Sequence, residues 1–336
     1  MSIITPERLV KLAYGHPSLQ NSWYLIACSC LTVINKPEEI PKIFHFALRQ
    51  QLLEYSTGKN LLADKYLIQL AQDSIYSSKK YEDFSAVGVN LPDVRIPFTY
   101  HDKLPLAYRF RKTEDIQELQ KTIASKFREV ILKSSGLSGL PKAINAMMLL
   151  KAVTPTSLLP SKFPERSPSV CPGKVNSSKL LHEDVHGTRF EEDKSEAADT
   201  IDGPISPESV KGKQIYANLV RGSDFWNSIY TNKINTRVRR QMLTAYPDLW
   251  YFAYHHIYSP LFSFTDVLSA GETSMCIVAA LIPQDVNPQL KGHLRGALNI
   301  GVSKEEISAL RQLVLDICDW SGGNYWTEGK ESIAKL

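Results

Sequence analysis

The chain has 336 residues, of which 43% are hydrophobic and 22% charged, as expected for a folded globular protein with room for two domains. Its net charge is only +4, and the short basic runs carry no reading motif, so the sequence argues against a nucleic-acid partner. Its five cysteines are irregularly spaced, which fits neither a disulfide framework nor a zinc site and predicts reduced, buried thiols.

The longest apolar run, residues 24–34, is too short to cross a bilayer. The chain does not open on a charged segment followed by an apolar one, the pattern of a secretion signal. We therefore expect a protein that is neither secreted nor inserted in a membrane.

The first half of the chain is predicted to consist of helical segments, because no stretch alternates between apolar and polar residues, with an ordered loop at residues 91–106. Thr5 followed by Pro6 has the pattern of a helix N-cap with proline in the first position. Residues 23–34 are apolar on every side, which predicts a buried helix, and residues 38–55 follow with apolar side chains at helical spacing. A further helix is predicted at residues 61–76.

Residues 154–213 interrupt this pattern. Seven prolines alternate there with serine, lysine, glutamate and aspartate, and large apolar residues are sparse. Such a segment cannot bury enough apolar surface to offset its ordering entropy, so we predict a flexible linker. His182 and His186 lie in it at a spacing that suits a metal, but a linker is a poor site, and no metal is expected.

Three helices are predicted in quick succession near the C-terminus. The first, at residues 271–282, is apolar on almost every side and is stopped by a proline. The second opens at Asn287 and ends at Gly301, and it carries His293 at the edge of its apolar stripe. Ser303 and Glu306 form the capping box that opens the third helix, which glycines end at 322 and 323.

The two helical parts of the chain show signs of an internal repeat. Cys28 lies 17 residues before His45, and Cys276 lies 17 residues before His293, with each cysteine in an apolar helix and each histidine in the next one. A second match, between residues 128–138 and 311–321, has a different offset. The first copy is therefore predicted to carry an insertion at about residues 53–117.

The stretch HLRGALNIG at residues 293–301, followed by SKEEI at 303–307, resembles the signature of the carboxymuconolactone decarboxylase-like superfamily. That all-helical superfamily includes the alkyl hydroperoxidase D peroxidases. Three earlier segments, at residues 221–226, 246–249 and 256–258, are similar to the lead-in of its decarboxylase branch.

The resemblance implies an all-α fold, a helical bundle of the alkyl hydroperoxidase D-like type, with two tandem repeats joined by a flexible linker. The first half would span residues 1–153 and the linker 154–213. The second domain would span 214–330, with a tail at 331–336. Members of this superfamily associate through helical faces, so a homo-oligomer is also implied.

One departure from the superfamily pattern concerns the peroxidase motif, Cys-x-x-Cys with a histidine four residues after the second cysteine. Counting back from His293 places Gln289 and Val286 at the two cysteine positions. The resemblance therefore implies the fold and the histidine, and it argues against the dithiol chemistry of the peroxidases.

Three residues are candidates for catalysis. His293 is favoured as an acid/base group because imidazole titrates near neutrality, and the alternative is a hydrogen-bonded core histidine. Glu272 lies near the place of the superfamily's proton-relay glutamate. Cys276, four residues on, shares its helical face, and the alternative for this cysteine is a structural thiol.

The favoured function is therefore a small-molecule enzyme that performs proton transfer or decarboxylation on a carbonyl-activated acid without a cofactor. One alternative is a hydroperoxide reductase that uses Cys276, and another is a catalytically silent peroxisomal assembly protein. The compartment follows from the final residues, Ala334, Lys335 and Leu336, a conservative variant of the Ser-Lys-Leu address. They predict binding to the peroxisomal import receptor and localisation in the matrix.

Overall fold

A computed structural model describes residues 2–54, 62, 64–95, 109–111, 113–160 and 212–336. Within these ranges the chain is built of α-helices, and β-structure is confined to one antiparallel pair of two-residue strands, Leu53–Glu54 and Arg109–Phe110. The predicted all-α fold class is confirmed. None of the helices in the described ranges has the length and apolar character needed to cross a bilayer.

The helices are, in chain order, α1 (Pro6–Tyr14), α2 (Trp23–Val33), α3 (Ile40–Gln50), α4 (Lys65–Ala86), α5 (Thr113–Ser138), α6 (Leu140–Ala152), α7 (Gly212–Ile229), α8 (Asn232–Ala245), α9 (Pro247–Phe252), α10 (Ala270–Leu281), α11 (Asn287–Asn299) and α12 (Lys304–Ser321). A π-helical segment, Ala253–Phe262, follows α9 directly.

The chain divides into two compact units. Unit 1 comprises Met1–Ser85, Leu91–Leu159 and Val267–Leu336, and unit 2 comprises Ala86–Asn90 and Pro160–Asp266. Unit 1 thus combines α1–α3, α5, α6, α10–α12 and nearly all of α4, drawn from both predicted halves. Most of the predicted linker lies outside the described residues, so the domain boundaries drawn from the sequence stay predictions.

The core of unit 1 is formed around α2 and α10. All eleven residues of α2 are buried, and so are most of the residues of α10. The helix α2 packs against α5, α10 and α12, and α10 also packs against α5 and α11. The two apolar helices predicted from the separate halves therefore share one core.

The helix ends of unit 1 follow the capping residues of the sequence. The amide of Arg8 donates to the hydroxyl of Thr5 at the start of α1. The capping box predicted at Ser303 and Glu306 opens α12, and Gly322, with φ of 69°, ends it. These three predictions are confirmed. Each concerns contacts within one helical turn, so a local sequence pattern is enough to predict it.

Some boundaries differ from the prediction. The helix predicted at residues 38–55 is shorter, Ile40–Gln50, because a 3₁₀ turn precedes it and the chain enters a strand at Leu53. The helix predicted at residues 61–76 is instead Lys65–Ala86. The capping box of Ser269 and Glu272, which opens α10, was missed.

Unit 2 is organised by a close approach between α7 and the π-helical segment. A Cβ atom on Gly222 would lie 2.2 Å from the hydroxyl oxygen of Ser259 and 2.6 Å from its Cα. Only glycine allows the two helical backbones to come this close. The sequence spacing of four apolar residues at the end of α7 predicts a core face there, and the structure confirms it, since the following side chains are buried: Phe225, Trp226, Ile229 and Tyr230.

Candidate functional site

Unit 1 contains an open cleft of about 530 Å³ at the start of α10. It lies between residues 17–22, the first turn of α10 and the turn at residues 300–302. Glu272 and Met275 of α10 line it, together with Glu306 of α12. This volume lies within the range of small-molecule sites.

Glu272 is held in the cleft by two sets of contacts. The amide of Ser269 donates to Glu272 Oε2 at 2.9 Å, as part of the capping box. The ammonium group of Lys126 on α5 pairs with Oε1. The two side chains are 18% and 21% exposed, so the ion pair is fixed by the fold and still meets solvent.

Lys126 begins a row of charged side chains on α5 that continues with Glu129 and Lys133. Lys133 is 1% exposed, and its ammonium group donates to the hydroxyl of Thr273 on α10 at 2.7 Å. It also lies 3.7 Å from the Glu129 carboxylate. Burying a charge costs free energy unless the charge is paired. The charged side chains of this row are paired, and they form polar contacts where α5 packs against α10.

Cys276 is buried beside this charged row. Burial raises the pKa of its thiol to about 12, and the positive charge of Lys133 opposes that rise. Of the other charged groups, Glu272 and Glu129 raise this pKa and Lys126 lowers it. The sulfur is therefore a protonated thiol at neutral pH, whereas a reactive cysteine needs a thiolate.

The helix α2 contributes two residues to the same region. Burial raises the pKa of Tyr24 well above its usual range, and the interactions of Tyr24 with Glu272 and Cys276 raise it further. Burial also raises the pKa of the Cys28 thiol, and Cys276 adds to the effect. Tyr24 and Cys28 have the same four-residue spacing on α2 as Glu272 and Cys276 have on α10.

His293 lies on the buried side of α11 and is 6% exposed. Burial lowers the pKa of its imidazole to about 4, so the ring is neutral at pH 7. It does not line the cleft, and it is not among the groups that shift the pKa of Cys276. The structure thus brings two of the three predicted residues together, Glu272 and Cys276, and places the third on the next helix.

The corresponding histidine of the first half, His45, is a hydrogen-bonded core residue. Its Nε2 donates to the carbonyl oxygen of Val153 at 2.9 Å, and its Nδ1 accepts from Arg49 at 3.2 Å. Burial, with the nearby charge of Arg49, lowers its pKa to about 3.

No group of histidine, cysteine, aspartate and glutamate suited to holding a metal ion occurs in the part of the chain that the structure describes. The predicted pair of His182 and His186 lies outside the described residues.

Sequence reasoning missed Lys126 and Lys133. Their signal was the spacing of residues 126, 129 and 133, which places three charges on one face of a helix. The adjoining residues of that helix, Phe127, Val130 and Ile131, are fully buried. Charges beside such a core indicate a partner on another helix, but the sequence does not say which one.

The Carboxymuconolactone decarboxylase family matches residues 253–323, a range that includes α10–α12. The whole chain is similar to Peroxisomal protein 2 of Saccharomyces cerevisiae, with 39% identity over 346 residues that cover 99% of each chain. Peroxisomal protein 2 of Schizosaccharomyces pombe is 30% identical over 204 residues, which cover 61% of this chain and 74% of that protein.

The chain therefore belongs to the family of these fungal peroxisomal proteins, and the predicted peroxisomal localisation is confirmed. The predicted resemblance to the decarboxylase-like superfamily is confirmed as well. No solved structure matches the chain.

Proposed function

We propose that this peroxisomal protein is a small-molecule enzyme that performs proton transfer or decarboxylation on a carbonyl-activated carboxylic acid in the cleft of unit 1. The observation that carries the proposal is the Glu272 carboxylate, which lines the cleft and is paired with the ammonium group of Lys126. A cation beside a carboxyl group supplies what such a reaction needs, since the cation binds a negatively charged oxygen and the carboxyl group moves a proton.

In a decarboxylation, the bond between the carboxylate carbon and the adjacent carbon breaks and CO₂ leaves. The electron pair moves to the activating carbonyl, and the resulting enolate oxygen would be stabilised by the Lys126 ammonium group. A proton from solvent, relayed through Glu272, then bonds to the carbon. In simple proton transfer, Glu272 would remove and return the proton on the carbon next to the carbonyl.

His293 remains a proposed acid/base residue, but it has less support than Glu272. An imidazole whose pKa is lowered to about 4 is a weak base at pH 7, and this one is buried. We therefore assign the proton step to Glu272 and test His293 separately.

The structure gives little support to the hydroperoxide reductase alternative. Peroxide reduction by cysteine requires a thiolate, and burial raises the pKa of Cys276 to about 12. Cys28, whose pKa is raised by burial and by the nearby Cys276, is likewise no thiolate at neutral pH.

A homo-oligomer remains part of the proposal. Three large apolar side chains on α6 are exposed at a spacing of four residues: Leu140, Ile144 and Met148. Such a stripe on one helix face supports association with a second copy. A monomer at micromolar concentration by light scattering would contradict it.

The enzymatic proposal is tested by incubating the chain in D₂O with 3-oxo acids, 2-oxo acids and lactones. NMR would follow hydrogen–deuterium exchange beside the carbonyl, together with CO₂ release. We expect Glu272→Gln to lower the rate about a hundredfold to ten-thousandfold, the range for loss of a general acid/base. Glu306→Gln is the matched control, because Glu306 lines the same cleft and also closes a capping box.

The proposal fails if the wild-type protein catalyses neither hydrogen–deuterium exchange nor CO₂ release with any of these compounds, or if Glu272→Gln and Glu306→Gln lower the rate equally. The first of these results would favour the catalytically silent assembly protein.

We further propose that Ala334, Lys335 and Leu336 are bound by the peroxisomal import receptor. The Leu336 side chain is 53% exposed, which supports recognition. The amide of Ala334 donates to Asn287 at 2.7 Å, so the receptor must break this bond to extend the tail. One residue added after Leu336 should leave the protein in the cytosol, and unchanged punctate localisation would refute the assignment.

A further inference from the structure

A second cavity, of about 290 Å³, lies wholly within unit 2, where α7, α8 and α9 meet the π-helical segment. It shares no residue with the cleft of unit 1. We propose that this cavity is a binding site for a small planar aromatic ring that carries an anionic group.

The walls of the cavity are aromatic. The rings of Trp250 and Tyr254 are stacked, with centroids 5.3 Å apart and planes 9° from parallel. Trp226 meets Trp250 edge-on, at 5.0 Å and 84°. The parallel pair and the perpendicular Trp226 ring together form a corner. A planar ligand in this corner can stack on the face of one ring and meet a second ring edge-on.

These rings are held in place by hydrogen bonds at their polar atoms. The indole N–H of Trp226 donates to Asn235 Oδ1 at 2.7 Å, and Asn235 in turn donates to Asn227 at 2.6 Å. The hydroxyl of Tyr254 donates to the carbonyl oxygen of Leu219 at 2.8 Å. The aromatic faces are thus fixed before any ligand arrives, which lowers the entropic cost of binding.

The charge of the cavity favours an anion. Arg239 lines it, and its guanidinium group lies 5.4 Å from the centroid of the Trp250 ring. Arg239 is exposed and makes no hydrogen bond or ion pair with another residue in the described ranges. No aspartate or glutamate lines the cavity, so its formal charge is positive. A guanidinium group over an indole leaves its N–H donors at the edge, where they can bind a carboxylate.

The backbone beside the cavity is also unusual. Tyr254 belongs to the π-helical segment Ala253–Phe262. π-Helical geometry is rare and is frequently found at functional sites. Here it is held by the close approach that Gly222 permits, so the position of Tyr254 depends on a specific feature of the fold.

The size of the cavity limits the ligand. At about 290 Å³ it is at the lower end of ligand sites, so it suits a single ring rather than a nucleotide. A hydroxybenzoate has the required ring and charge.

The proposal is tested by titrating the full chain with 4-hydroxybenzoate in a calorimeter. Two further probes separate its parts: 4-hydroxybenzyl alcohol keeps the ring without the charge, and cyclohexanecarboxylate keeps the charge without the aromatic ring. We expect saturable binding of 4-hydroxybenzoate and at least tenfold weaker binding of 4-hydroxybenzyl alcohol and of cyclohexanecarboxylate.

Arg239→Gln should weaken that binding at least tenfold. Arg240→Gln, an exposed neighbour on the same helix that does not line the cavity, should leave it unchanged. Trp250→Leu should abolish binding, and Arg239→Gln keeps the test valid if that variant does not fold. Glu272→Gln should bind as the wild type does, so the result is independent of the proposed enzymatic function.

The proposal is overturned if 4-hydroxybenzoate shows no saturable binding at millimolar concentration, if cyclohexanecarboxylate binds equally well, or if Arg240→Gln weakens binding as much as Arg239→Gln does.

Discussion

The hydroxyl of Ser29 on α2 donates a hydrogen bond of 2.8 Å to the carbonyl oxygen of Cys276 on α10, although 247 residues separate the two in the chain. The bond is buried, and it joins the two most apolar helices of unit 1 beside the thiols of Cys28 and Cys276. The chemistry of these cysteines is therefore set by the core and not by solvent.

The first prediction concerns thiol reactivity. Cys28, Cys30, Cys276 and Cys318 are all buried, so none should react quickly with a disulfide reagent in the native protein. Cys171, which lies outside the described residues, should be replaced by serine before the measurement. We expect no fast-reacting thiol in Cys171→Ser until denaturant is added, and four thereafter. A rapid first equivalent that disappears in the additional variant Cys276→Ser would restore the peroxidase alternative.

The second prediction concerns the buried charge of Lys133. Lys133→Met removes the positive charge next to a buried carboxylate, Glu129, so we expect the free energy of unfolding to fall by about 3–5 kcal/mol. Combining it with Glu129→Leu should recover part of this loss, because both charges are then absent. The measurement is urea unfolding followed by circular dichroism.

Lys121→Met is the matched control on the same helix, since Lys121 pairs with Glu118 at the surface. It should cost no more than about 1 kcal/mol. Equal effects of the two lysine substitutions would show that the α5–α10 charges are not energetically coupled to the core.

The third prediction concerns pH and His293. Burial lowers the pKa of this imidazole from the ordinary 6.5 to about 4, so between these values the unfolded chain binds a proton that the folded chain does not. The free energy of unfolding should therefore be constant with respect to this group above pH 6.5 and should fall, by an amount on the order of a few kcal/mol, as the pH drops towards 4.

In His293→Gln this part of the pH dependence should disappear. The measurement is the free energy of unfolding of the wild type and of His293→Gln at pH 7 and at pH 5. The exposed His256, changed to Gln, serves as the control. If the wild type and His293→Gln lose stability equally on acidification, His293 is not the buried neutral group that the structure shows.

The fourth prediction concerns Gly222. Gly222→Ala would place a methyl group 2.6 Å from the Cα of Ser259, so the two helical backbones must separate. Such overpacking should destabilise unit 2 by about 1–3 kcal/mol. Faster hydrogen exchange in α7 and in the π-helical segment would report the change.

Gly212→Ala is the control, because an added Cβ at residue 212 meets nothing within 4 Å. It should leave exchange in unit 2 unchanged or slightly slower, since alanine favours helix more than glycine does. Normal exchange in Gly222→Ala would mean that α7 and the segment can separate at no cost.

The sequence by itself determined several helix ends of unit 1, although the predicted bounds of α3 and α4 were wrong. Thr5, Ser303 with Glu306, and Gly322 each act within one helical turn, so local pattern is enough to predict them. The apolar character of α2 and α10 likewise determined that both are buried. The relation of the chain to its superfamily was also contained in a local motif.

Only the tertiary structure decided which faces meet. It paired Lys126 with Glu272, placed Lys133 against Thr273, and kept His293 out of the cleft that Glu272 lines. The physical reason is that apolar burial is non-directional: it drives helices together without choosing the register or partner. The register and the partner of each helix depend on the simultaneous packing of many side chains, which come from parts of the chain that are far apart in sequence.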